Sequence, residues 1–136
     1  MDFIDSTKSG FTRYFDFTTR SSRSEYWWWA LFVILVSIVL VVVNSILFGP
    51  TVGESHTGGI TYMYDGGILG LIFTLLTLIP WVALGCRRLH DVDKSGWWQL
   101  IMIIPLIGFL VLLYWFVKRG DVGQNRFGAD PLASAV

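Results

Sequence analysis

Tyr26–Phe48, YWWWALFVILVSIVLVVVNSILF, contains no Lys, Arg, Asp or Glu. As a helix, its roughly 23 residues would reach about 34 Å, the hydrocarbon thickness of a bilayer plus some tilt. Its centre, Ala30 to Val43, is almost all Val, Ile and Leu. Such β-branched residues weaken a helix in water but are tolerated in lipid, where the backbone must close its own hydrogen bonds.

Two more charge-free runs follow, Ile68–Cys86 and Trp97–Val117, and the polar stretches between the runs hold every charged residue. Ile68–Cys86, about 19 residues, has the near-minimal spanning length, and Pro80 is expected to kink it. Trp97–Val117 carries Pro105 and Gly108 at its centre and admits two readings. A kinked helix could cross once, with Trp97 and Trp98 at one interface and Tyr114 and Trp115 at the other. Alternatively, Pro105–Gly108 turns the chain back, leaving two arms that each reach about half-way. The composition agrees with a bilayer as solvent: 136 residues, 54% hydrophobic, 15% charged, with a mean hydropathy of +0.59. This suits one compact membrane domain, residues 1–136, and excludes a disordered chain. Ten basic against ten acidic residues exclude a strongly basic nucleic-acid binder. The one cysteine, Cys86, cannot form an internal disulfide, and no Cys/His spacing predicts a metal site or cofactor.

The distribution of charge predicts topology, because Lys and Arg stay cytoplasmic. The N-terminal segment holds Lys8, Arg13, Arg20 and Arg23; residues 87–96 hold Arg87, Arg88 and Lys94; the tail, 118–136, holds Lys118, Arg119 and Arg126; residues 49–67 hold none. A cytoplasmic N-terminus and an external 49–67 loop follow. Three full crossings would put the tail's basic residues outside, whereas a re-entrant third segment keeps all ten inside. Against the re-entrant path stands the backbone exposed at its tip, which lipid forbids unless it is covered. Both remain open at this point.

Residues 1–25 lack the apolar core of a signal peptide. Ile4, Phe11 and Phe15, with Tyr14 beside them, fall at helical spacing, so an interfacial helix is expected, with Asp5 or Ser6 as N-cap. Ser22 and Glu25 form a capping box for the first spanning helix, and Trp27, Trp28 and Trp29 follow at headgroup level. The external loop is glycine-rich, with strand-like alternation over Ile60–Tyr64. Asn44 is expected to reach the outer interface, and Gly66 and Gly70 have the spacing of a close helix contact. No ionisable group lies within a run, which disfavours an ion-coupled transporter.

Arg87-Arg88-Leu89-His90-Asp91, then Ser95-Gly96-Trp97-Trp98, resembles the RRLHD…SGWW signature of the small bacterial inner-membrane proteins grouped as domain of unknown function 805. Arg20, Arg23, Glu25, Tyr26 and Trp27 are similar to that family's R-x-x-R-x-E-[FY]-W block. Gly123, Asn125, Arg126, Phe127, Gly128, Asp130 and Pro131 are similar to its G-x-N-R-[FY]-G-x-D-P tail. Thr19 and Asp93 stand where the family usually has Gly, and Gln124 and Ala129 where it often has Pro. The resemblance implies a multi-helix protein of a bacterial inner membrane and implies no activity.

The expected architecture is therefore all-α: an integral membrane bundle with an interfacial segment (1–25), spanning helices at 26–48 and 68–86, and a kinked or re-entrant third segment (97–117). The polar blocks would meet at the cytoplasmic interface. There Arg20, Arg23, Arg87 and Arg88 could pair with Glu25, Asp91 and Asp130, forming a polar cap to which Ser22, Glu25, Asn125 and Asp130 contribute structurally. Surplus arginines, with His90 and Asp91, are candidates to bind an anionic lipid headgroup or other phosphate. One His beside one carboxylate is too few ligands for catalytic zinc, with His56 across the membrane, so His90 and Asp91 are expected to share a local hydrogen bond that orients their loop. No catalytic residue is assigned. The best description is a scaffold or accessory protein whose arginine-rich cap engages membrane lipid or a membrane-protein partner, a homo-oligomer included. The alternative is an enzyme or transport component acting on a lipid or phosphate-bearing small molecule.

Overall fold

A computed structural model describes residues 1–48 and 67–133. The loop expected over 49–67, with His56, the Ile60–Tyr64 alternation and Gly66, lies outside the described residues apart from Gly67. All described elements are helical: α1 (Phe3–Thr12), α2 (Arg23–Phe48), α3 (Gly67–Asp91), a 3-10 helix (Gly96–Ile103) and α4 (Ile107–Val117).

α2 and α3 are long and apolar enough to cross a membrane. α2 keeps most of its apolar surface outward and buries Tyr26, Trp29 and Ala30 near its start. Tyr26, Trp29 and Leu84 form the buried cluster, with Phe32, Val33, Trp81 and Phe116 packed against it. Lipid is as apolar as these side chains, so the cluster holds through close packing rather than through exclusion of water. Trp29 is therefore a core residue and not an interface anchor like Trp27 and Trp28, which stay exposed.

What covers Trp29 is α1. Its inward face is small, Ser6, Ser9 and Gly10, and Gly10 lies so close to the Trp29 ring that any Cβ would collide with it. Phe11 meets the same ring edge-on at 5.2 Å, and Phe3 meets Trp28 at 5.9 Å. Ile4, Phe11 and Phe15 remain exposed. The N-cap is Asp2, which accepts from the Asp5 backbone N–H at 2.8 Å, three residues before the expected position.

α3 runs unbroken through Pro80. Proline has no N–H, so the Leu76 carbonyl loses its helical donor; the Tyr14 hydroxyl takes that place at 2.7 Å and ties the N-terminal segment to α3. The helix also continues five residues beyond the expected end, so the Arg-Arg-Leu-His-Asp block is its last turn rather than a loop. At the far end Asn44 is buried, not at an interface, against Gly67. Gly67 sits at φ +55°, and any Cβ there would run into the Asn44 amide.

The third apolar run turns back. Its beginning touches the end of α3, where Gln99 Nε2 donates to the Val82 carbonyl at 3.1 Å and to Cys86 Sγ at 2.9 Å. Its end returns to the same place, where Phe116 meets Tyr26 at 4.5 Å and its carbonyl accepts from Arg88 Nε at 3.2 Å. Trp98 and Trp115 face each other across the two arms at 5.4 Å. At the tip Leu106 has φ +63° and ψ −62°, and the Ile107 N–H reaches back to the Pro105 carbonyl at 2.8 Å, the geometry of a γ-turn. Ile104 N–H bonds to Ile101 O, and Gly108 N–H to Ile104 O. The tip thus closes these backbone hydrogen bonds itself, which is what a turn within hydrocarbon requires.

Candidate functional site

Because the third run doubles back, residues 13–25, 87–96 and 118–130 meet at one end of the helix pair. Two buried carboxylates organise that end.

The first is Asp91. Its Oδ1 accepts from Arg20 Nε and Nη2 at 3.1 and 3.0 Å, and its Oδ2 from Arg88 Nη1 at 2.7 Å. Arg20 then reaches the tail: Nη1 donates to the Gly123 and Gly128 carbonyls, and Nη2 to that of Asp121. All five of its N–H donors are engaged. Arg88 also donates to the Phe116 and Lys118 carbonyls. Gly120 passes so near Asp91 that a side chain there would strike the carboxylate, and the Asp121 N–H bonds to the Asp91 carbonyl at 2.8 Å.

Glu25 is the second. It accepts from Ser9 Oγ at 2.6 Å and Arg13 Nη1 at 3.5 Å, and Arg87 Nη2 lies 3.6 Å away. Its backbone N–H bonds to Ser22 Oγ at 3.3 Å, so Ser22 caps α2, while the Glu25 carboxylate turns away to Ser9 and the arginines instead of completing the capping box. Arg87 also donates to Ser21 Oγ and to the Arg13 and Asp16 carbonyls. Burial alone would raise the Asp16 carboxyl, but hydrogen bonds from Thr19, Thr18 and Arg13 outweigh it and hold it well below the usual carboxylate range.

His90 and Asp91 do not share a bond. His90 Nδ1 lies 3.1 Å from the Thr19 carbonyl, and its ring stacks on Phe127 at 3.9 Å. Asn125 Nδ2 donates to the His90 carbonyl at 2.9 Å and its Oδ1 accepts from the Phe127 N–H. Asp130 accepts from the Leu132 and Gly123 backbone N–H groups, which lower its pKa, and makes no ion pair with the arginines. Arg23 likewise has no carboxylate partner among the described residues; it donates to the Val117 carbonyl at 3.3 Å.

Of the candidate ligand-binding residues, Arg20, Arg87, Arg88, His90 and Asp91 are thus buried and bonded within the chain, while Arg23 is exposed. No group of three metal-ligating side chains occurs among the described residues. Two grooves of about 400 Å³ flank this end. One is bordered by Cys86, His90, Gln99 and Trp97, the other by Arg23, Ser24, Trp27, Val117 and Leu132. Ser9, Tyr14, Thr19 and Gln99 carry contacts that no local pattern signalled.

Comparison with known proteins points to one family. A family model described as "Protein of unknown function (DUF805)" matches residues 14–129, which include every residue bonded to Arg20 and Asp91. The inner membrane protein YhaH of Escherichia coli (strain K12) is 39% identical over 118 residues, covering 87% of this chain and 88% of that protein. Inner membrane protein YhaI of the same organism is 38% identical, covering 87% of each. No solved structure matches.

Proposed function

The chain belongs to the DUF805 family of proteins of unknown function, and from that premise we propose that it is a non-catalytic scaffold or accessory protein. In this reading it crosses the inner membrane twice. The N-terminus, the α3 end and the tail share the cytoplasmic face, and the arginine-rich cap presents that face to anionic lipid or a membrane-protein partner. The carrying observation is that Arg20, Arg87 and Arg88 are buried, with donors on Asp91, Ser21 and backbone carbonyls and with Arg87 Nη2 ion-paired to Glu25 at 3.6 Å. Guanidiniums committed in this way fix shape and are poorly placed to bind and release a phosphate with each turnover. That weighs against the enzyme or transport alternative, in which Arg87 and Arg88 would hold a substrate phosphate. The gathering of basic residues at one end supports the orientation.

The test is labelling of Val122→Cys, an exposed tail position, in a Cys86→Ala background. A membrane-impermeant maleimide should fail to label it in intact cells and label it fully after permeabilisation. Labelling from outside intact cells would overturn the topology.

A further inference from the structure

Four guanidiniums, those of Arg13, Arg20, Arg87 and Arg88, share three carboxylates, Asp16, Glu25 and Asp91. This cluster therefore carries one positive charge in excess even before Arg23 is counted, and Arg23 is the arginine of the family-like blocks at 20–27 and 87–98 that stays exposed. It makes one hydrogen bond among the described residues, to the Val117 carbonyl, so most of its planar fork has no partner among them. It stands on the rim of the groove of about 400 Å³ formed with Ser22, Ser24, Trp27, Val117 and Leu132.

We propose that this groove seats the phosphate-bearing headgroup of an anionic phospholipid, with Arg23 as its principal donor. The groove joins two chemistries. On its polar side are the Arg23 fork, suited to two phosphate oxygens, and the Ser24 hydroxyl, held 3.0 Å from Ser22 Oγ. On its other side are Trp27, Val117 and Leu132, apolar walls for the glycerol and the first acyl carbons. Trp27 is part-exposed at the start of the apolar run, the level at which indole rings meet headgroups. Lys118 and Arg119, both exposed, directly follow Val117 and add positive charge at the mouth. A soluble phosphate compound would use the fork and leave the apolar walls empty; a phospholipid fills both. The site rests on the reading of this end as the face that meets anionic lipid.

Full-length protein is reconstituted in nanodiscs of mixed phosphatidylglycerol and phosphatidylcholine, and the lipids it retains are counted by native mass spectrometry. The wild type should retain phosphatidylglycerol in preference. Arg23→Gln should lower that retention about ten-fold, the scale of one lost charge-assisted contact, and Arg23→Lys should restore part of it. Lys8→Gln, an exposed basic residue outside the groove, should leave retention unchanged. Thermal unfolding should show Arg23→Gln folded like the wild type, since Arg23 is exposed. Equal retention by Arg23→Gln would overturn the groove while leaving the lipid-facing reading intact. No preference for phosphatidylglycerol in the wild type would overturn that reading, and the site with it. A loss in Lys8→Gln matching that in Arg23→Gln would assign retention to diffuse charge, and displacement of the lipid by inorganic phosphate would assign the site to a soluble ligand; either result overturns the proposal.

Discussion

Asp91 accepts from two guanidiniums that have almost no contact with solvent. Burying each such charge costs several kcal/mol, which is offset only while the partner carboxylate is present. Asp91→Asn keeps the size and one acceptor but removes the charge, and is expected to destabilise the protein by about 3–5 kcal/mol, read as a large fall in thermal unfolding temperature in detergent. The pair Asp93–Arg126 serves as the control: it is similarly close, at 3.0 Å, but its side chains are 48% and 61% exposed. Asp93→Asn should cost under about 1 kcal/mol, helped by asparagine's tolerance of the φ of +55° at that position. A similar loss from both variants would contradict the shared-acceptor account. At this scale the sequence indicated which residue types would gather but not how they pair. His90 and Asp91 are neighbours in the chain, yet neighbours on a helix point about 100° apart, so one faces Thr19 and Phe127 and the other Arg20 and Arg88. The bond from Ser9 to Glu25 joins residues sixteen apart on different helices, which no local spacing encodes.

The third apolar run shows where periodicity gives out. Pro105 and Gly108 inside a charge-free run suit both a kinked crossing helix and a turn, and the contacts that decide between them, Trp98 with Trp115 and Gln99 with Val82, lie outside any local window. The two geometries respond oppositely to the same pair of substitutions. In the hairpin, a Cβ at Gly108 would collide with the Ile101 carbonyl oxygen, so Gly108→Ala should destabilise by about 1–3 kcal/mol. Leu106, at φ +63°, carries strain that Leu106→Gly relieves, with neutral effect or a gain of up to about 1 kcal/mol. A single crossing helix would gain from Gly108→Ala and lose from Leu106→Gly, so unfolding of the two variants side by side separates the cases. The last turn of α3 is hidden from local patterning for a related reason. Apolar patterning stops at Cys86, but the helix continues because the N-terminal segment and the tail bury Arg87 to Asp91 in place of lipid.

For the whole molecule, the membrane class was legible because the solvent dictates it: long charge-free runs are what hydrocarbon selects, whatever the packing detail. The gathering of the polar segments at one end was foreshadowed by the uneven placement of Lys and Arg; the knot that joins them was not. That knot also orders events in time. Arg20 leaves the ribosome well before the carbonyls that complete its coordination, which come 101 to 108 positions later. Both long helices can therefore enter the bilayer while Arg20 and Arg88 still await their acceptors, and closure marks the moment when synthesis has passed Gly128. A chain stopped after Arg119 should insert normally yet turn over faster in a pulse-chase, because its charge cluster stays open to water and to proteases; a half-life equal to that of the full chain would contradict this. The segment after Arg119 thus works as a latch that is made last and holds the arginine cluster shut.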